Sequence, residues 1–161
     1  MKDRGVSISV GHVLAIGITT LLITALLLAG SSFLATERER SLDASLNVEG
    51  ARLAAEISQV DQVIQEANAE GGNVNVSLVV SHPQTVLGSS YDIVLTTDGE
   101  CEGDSSTSIS CLELAGDTKQ VSLRTQIPFR NETAIRNSSV QGGPIVIRAN
   151  SSAIWLEEGT R

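Results

Sequence analysis

The chain has 161 residues, 41% of them hydrophobic but only four aromatic (one Trp, one Tyr, two Phe), with a formal net charge of −8. That length holds one ordinary domain plus an attachment. Residues 36–161 carry 18 acidic against 9 basic side chains, a surface that repels phosphate and excludes nucleic acid as a partner.

Met1 to Gly5 is short and charged through Lys2, Asp3 and Arg4. Residues 6–35 then carry no charge, which excludes a simple soluble globule. As a helix this run spans about 45 Å, against about 30 Å of hydrocarbon. Tilt absorbs part of the surplus, and burial against other protein would use the rest. A cleaved secretory signal competes with this reading. Its apolar core would be about 7–15 residues, and the densest aliphatic stretch here, Leu21 to Leu28, sits late. Ala29-Gly30-Ser31-Ser32 would be the site of such cleavage.

Charge returns at Glu37-Arg38-Glu39-Arg40, and helical signal continues to about Ala69. Leu53, Ile57, Val60, Ile64 and Ala67 recur at alternating steps of 4 and 3, and Leu42 and Leu46 extend the stripe upstream. Arg52, Glu56, Gln59, Gln62 and Glu66 mark the polar face, and Gly71-Gly72 ends the helix. Thr36 with Glu39 fits a capping box that would start a separate helix. The same residues suit one continuous helix, with Gly50 as its weak point, and continuity is the preferred reading.

From Asn73 the period becomes two. Val74-Val76-Leu78-Val80, Tyr91-Ile93-Leu95, Val121-Leu123-Thr125-Ile127 and Ile145-Ile147-Ala149 alternate with mostly polar residues, and His82-Pro83, Asp98-Gly99 and Gly142-Gly143-Pro144 supply turns. The reading is α+β: four or five short, mostly antiparallel strands form a small sheet head, whose apolar face is covered by the Leu53–Ala67 stripe.

Cys101 and Cys111 are the only cysteines, with nine residues between them in a polar, turn-rich stretch. A disulfide would contribute about 2.5–3 kcal/mol and place this part of the chain in an oxidising space. Two free thiols on a loop are the alternative. A zinc site lacks ligands, since His12 and His82 are distant in sequence. Four Asn-x-Ser/Thr sequons, at Asn75, Asn131, Asn137 and Asn150, lie downstream of the apolar run as glycosylation candidates. Basic residues flank the run almost evenly, Lys2 and Arg4 against Arg38 and Arg40. The sequons and the cysteine pair therefore decide the orientation: amino terminus inside, head outside.

No nucleophile–base pair, phosphate cradle or metal set is recognisable, so neither an enzyme nor a cofactor is expected. His82 reads as a surface turn. Asp92, Asp98, Glu100, Glu102 and Asp104 do not match the spacing of an EF-hand loop. Trp155 and Leu156 read as core.

The run from Arg4 to Thr19, RGVSISVGHVLAIGIT, resembles the amino terminus of archaeal type IV pilins and pilin-like proteins. The matching features are a short basic leader ending in a small residue, a Val-Ser opening at Val6-Ser7, Gly11 six positions into the mature chain, and Ile18-Thr19 beyond it. The resemblance covers about 30 residues closely. Ile8 stands where many relatives have Pro, Val10 where bacterial pilins have Glu, and His12 where the family has an aliphatic residue, which points to a minor subunit. The resemblance implies a leader over 1–5, cleaved between Gly5 and Val6 by a prepilin peptidase. It further implies a transmembrane and assembly helix over 6–35, an amphipathic helix packing on the head over 36–72, and an extracellular head over 73–161. The implied partners are membrane lipid, other pilin-like subunits and the pilus assembly machinery. Small residues at Gly11, Ala15, Thr20 and Thr24 suit close helix packing in lipid. The acidic external part, with Lys119 its only lysine, is similar to haloarchaeal proteins. The competing reading is a single-pass surface protein whose head binds a partner and does not polymerise.

Overall fold

The computed structural model describes residues 3–96, 109–117 and 122–159, without side chains for 3–10, 109, 117, 122, 123, 128 and 130. The order of elements is one helix, α1 (Asp3–Ala69), then eight strands: β1 (Asn75–Ser81), β2 (Tyr91–Thr96), β3 (Ile109–Asp117), β4 (Ser122–Arg130), β5 (Ala134–Ile135), β6 (Ser138–Gln141), β7 (Pro144–Asn150) and β8 (Ala153–Glu158). The fold is α+β, as the change of period from 3.6 to 2 predicts. No new helix starts at Thr36. Its hydroxyl donates to the Ser32 carbonyl one turn back (3.2 Å) rather than capping an N–H.

The chain divides into two compact units, Met1–Arg38 and Glu39–Arg161. In the first, α1 is exposed at every residue from Gly11 to Arg38. Its large apolar side chains from Val13 to Leu34 are between 52% and 72% exposed. Three of its threonine hydroxyls are satisfied within the helix: Thr19, Thr20 and Thr24 each donate to the carbonyl four residues back, at 2.8 Å. Polar side chains bonded in this way can sit in hydrocarbon without leaving a donor unpaired.

In the second unit the strands form two four-stranded sheets, ordered β1-β7-β8-β5 and β4-β3-β2-β6. All pairs are antiparallel except β5 with β8. The reading of four or five strands in one sheet therefore undercounts. Two strands are very short, β8 is six residues long, and β3 follows a Ser-rich stretch that hides its alternation. The core is continuous between helix and sheets. It joins Leu42, Leu46, Leu53, Ile57, Val60 and Ile64 of α1 to the inward residues of β2, β3, β7 and β8, among them Ile93, Leu95, Leu112, Leu114, Ile145, Ile147, Ile154 and Leu156. The stripe and the strand alternation place the α1, β2 and β7 residues inside; those of β3 and Ile154 of β8 lie outside the runs read from the sequence.

The tightest approach is at Gly50. A side-chain carbon there would meet Ile127 Cδ1 and come within 2.7 Å of Leu114 Cδ1. The helix runs on through Gly50, which is where the sheet packs closest. Gly116 of β3 plays the reciprocal part under Leu46 and Leu42, with 3.2 and 3.4 Å to an added carbon. The helix stops as expected. Gly71 adopts a positive φ of 72°, and the Gly72 N–H returns to the Ala67 carbonyl at 2.9 Å.

Candidate functional site

Two features carry functional weight: the apolar segment of the first unit, and the joint that holds α1 to the head in the second. The apolar segment is long and apolar enough to cross a membrane, with none of the qualifying stretch buried inside the chain. Gly5 and Val6 lie within the helical backbone, but their side chains are outside the described residues. Gly11, Ala15, Thr20 and Thr24 are exposed, and a side-chain carbon added at Gly11 would meet nothing within 4 Å. Among the described residues no contact requires these positions to be small.

The joint is polar as well as apolar. Successive turns of α1 reach different parts of the head. Near the start, Thr125 of β4 donates to Asp43 (3.0 Å). In the middle, the His82 ring lies between two glutamates seven residues apart on the helix, with Nδ1 3.0 Å from Glu49 and Nε2 3.0 Å from Glu56. The His82 side chain is 1% exposed, and Arg52 braces Glu56 at 3.2 Å. The turn behind His82 is fixed by the buried Tyr91, whose hydroxyl donates to the Pro83 carbonyl (2.8 Å). Burial, aided by the charge of Glu49, pushes that hydroxyl up to about 12. The Gly142-Gly143 turn seals the corner. The Tyr91 ring lies where a Gly142 side chain would be, and the Gly143 carbonyl takes the His82 N–H at 3.1 Å.

Further along, the buried Asp61 accepts the backbone N–H groups of Glu132 (2.8 Å) and Thr133 (2.9 Å). Burial by itself raises a carboxyl pKa. Here the bonds from the Thr133 hydroxyl, the two N–H groups and Gln65 outweigh it, and Asp61 sits below its ordinary value. At the end of the helix, Asn68 donates to the Ser151 carbonyl (3.3 Å) in the β7–β8 turn.

His82 is thus a buried link and not a surface turn. Its signal was its parity: 76, 78, 80 and 82 share one face of the strand. Asp61 was also legible, since it falls four residues after Ile57 and three before Ile64, inside the apolar stripe. Cys111 is buried in β3 and disulfide-bonded; the other cysteine, Cys101, lies outside the described residues. So do Asp98, Glu100, Glu102 and Asp104, while Asp92 is exposed. Among the described residues no group of three or more His, Cys, Asp or Glu side chains could hold a metal. Leu156 is core, but Trp155 is partly exposed, with the Arg136 guanidinium 4.4 Å above its ring and its Nε1 donating to Glu157 (2.8 Å).

The sequons separate by environment. Asn75 and Asn137 are exposed; Asn131 and Asn150 are half-buried. The Asn131 amide donates to the Thr133 carbonyl and accepts from the Ser110 hydroxyl, while Asn150 Oδ1 caps the β7–β8 turn by accepting the N–H groups of Ser152 (2.9 Å) and Ala153 (2.8 Å).

No curated protein and no solved structure matches the chain. One family does, over residues 1–157: the chain belongs to DUF7266, a family of unknown function.

Proposed function

We propose that this chain is a pilin-like structural subunit, a minor one. It is stored in the membrane with its head outside, cleaved between Gly5 and Val6, and assembled into or onto a surface filament through residues 6–35. The observation that carries the reading is the apolar segment itself. It is uncharged, its threonines at 19, 20 and 24 are satisfied within the helix, and among the described residues it is exposed. A surface of that size needs lipid, sister helices, or first one and then the other. Lipid alone accounts for about 30 Å of it, and sister helices would take up the surplus. The second half of the same helix is tied to the head by the buried Asp61 and the His82 link. The disulfide at Cys111 and the exposed sequons support an external head.

The partners under this reading are lipid, other pilin-like subunits, a prepilin peptidase and its assembly machinery. No chemistry in the described residues calls for a cofactor. Gly5→Arg in the native host tests the reading. It is expected to leave the chain in the membrane, five residues longer, and absent from sheared surface filaments. If the substitution changes neither the mass of the chain nor its location, the chain is a plain single-pass surface protein with a small external binding domain.

A further inference from the structure

We propose that Asn75 carries an asparagine-linked glycan, and that this sugar closes the open edge of the β1-β7-β8-β5 sheet. The proposal rests on the head lying outside the membrane.

Only some of the four sequons can bear a sugar in this fold. Asn131 sits in the helix–head joint. Its amide nitrogen is bonded to the Thr133 carbonyl, and Thr133 is itself buried against Asp61. A hexose on that nitrogen would have to displace the loop from α1. Asn150 is held by three bonds to its Oδ1, and the next residue ties the linker after α1: Ser151 Oγ donates to Asn73 (3.0 Å) and accepts the Val74 N–H (3.1 Å). Asn75 is exposed as the first residue of β1, as is Ser77, which completes its sequon. No hydrogen bond to another described residue engages the Asn75 side chain.

A separate observation says what the sugar would do. An edge strand presents unpaired backbone groups to any other extended chain. Natural sheets guard against this with short strands, charge, Pro or a cover. Three of the four edges here are guarded. β5 has two residues and β6 has four, while β4 carries Arg124, Pro128 and Arg130. The exception is β1. Among the described strands it pairs only with β7, it has seven residues without charge or proline, and its outward Val79 is 68% exposed. The one unguarded edge is the one that begins with an open sequon.

The transfer would use a lipid-phosphate-linked oligosaccharide. Asn75 Nδ2 forms a bond to the anomeric carbon, the bond from that carbon to the phosphate oxygen breaks, the lipid phosphate leaves, and Nδ2 gives up one proton.

The test is site-resolved mass spectrometry of the full chain isolated from its native envelope, with protease treatment of intact cells to place the head. The expected result is a glycan mass on the Asn75 peptide and none on the Asn131 or Asn150 peptides. A bare Asn75 beside a modified Asn137 overturns the proposal while leaving the head outside. A head protected from protease, with all four sequons bare, overturns the external reading and this proposal together. The edge role is read separately in detergent by light scattering. Ser77→Ala removes the sequon but keeps Asn75, and should at least double the mass of the particle. Asn75→Lys removes the sequon but supplies a charge, and should keep the wild-type mass. Identical masses for Ser77→Ala and the wild type would overturn the edge role.

Discussion

Gly50→Ala probes the packing of helix on head at its closest point. The added carbon would meet Ile127 Cδ1 and lie 2.7 Å from Leu114 Cδ1. Both obstacles are ends of side chains, so they can yield, at about 0.5–1.5 kcal/mol for each rotamer forced off its minimum. Overpacking of a filled core costs about 1–3 kcal/mol in all. Against this, alanine gains about 0.5–1 kcal/mol over glycine within a helix. The net expectation is a destabilisation of about 1–2 kcal/mol. In urea, with a slope of about 2 kcal/mol per molar, the midpoint should fall by about 0.5–1 M. Trp155, the sole tryptophan, reports on the head by its fluorescence in detergent. Gly30→Ala is the control, because nothing lies within 4 Å of its added carbon. It should leave the head midpoint unchanged. Combining Gly50→Ala with Ile127→Val should recover part of the loss. A Gly50→Ala chain as stable as the wild type, or more so, would refute the packing.

Three further outcomes follow from the joint and the helix. Asp61→Asn keeps the shape but loses the charge that accepts two N–H groups, and should cost about 1–3 kcal/mol at neutral pH. Because the folded pKa of Asp61 lies below the ordinary 3.8, its contribution is complete above that value and is lost as pH falls through the folded value. The stability gap between Asp61→Asn and the wild type should therefore shrink in acid, as urea midpoints across pH would show. Tyr91 is the only tyrosine, so tyrosinate absorbance titrates it alone. A midpoint near 12 is expected in the folded chain, against the ordinary 10.0. Its contribution to stability is present below the ordinary value and lost as pH rises through the folded one, and a midpoint near 10 in the folded protein would contradict the buried hydroxyl. Gly11→Leu and Ala15→Leu touch nothing within the chain, so the urea midpoint of the head should not move while recovery in sheared filaments falls; a loss of head stability would contradict this.

The division between what could be read and what could not follows the range of the interactions. The α1 stripe, the Gly71-Gly72 stop and the alternation of β1, β2 and β7 are local patterns, and they are legible from residue spacing alone. β3 was hidden because it follows a Ser-rich stretch and because Gly116, which sits over Leu42 and Leu46, ends its alternation early. β5 and β6 are too short for a period to register. The joint depends on partners far apart in sequence: His82 with Glu49 and Glu56, and Asp61 with the loop at 132–133. Polarity alone assigns such residues to the surface. Only their parity on a strand or their place in an apolar stripe betrays them, and neither cue names the partner. Gly50 illustrates the same limit. As a helical residue it reads as a weakness, and only the opposing sheet makes it a requirement.

The central claim is most directly tested by the mass and amino-terminal sequence of the mature chain, extracted from its own membrane. The account predicts a chain that begins at Val6 and retains the whole apolar segment. A chain that keeps Met1, or one that begins near Ser31 and is released as a soluble head, would contradict it.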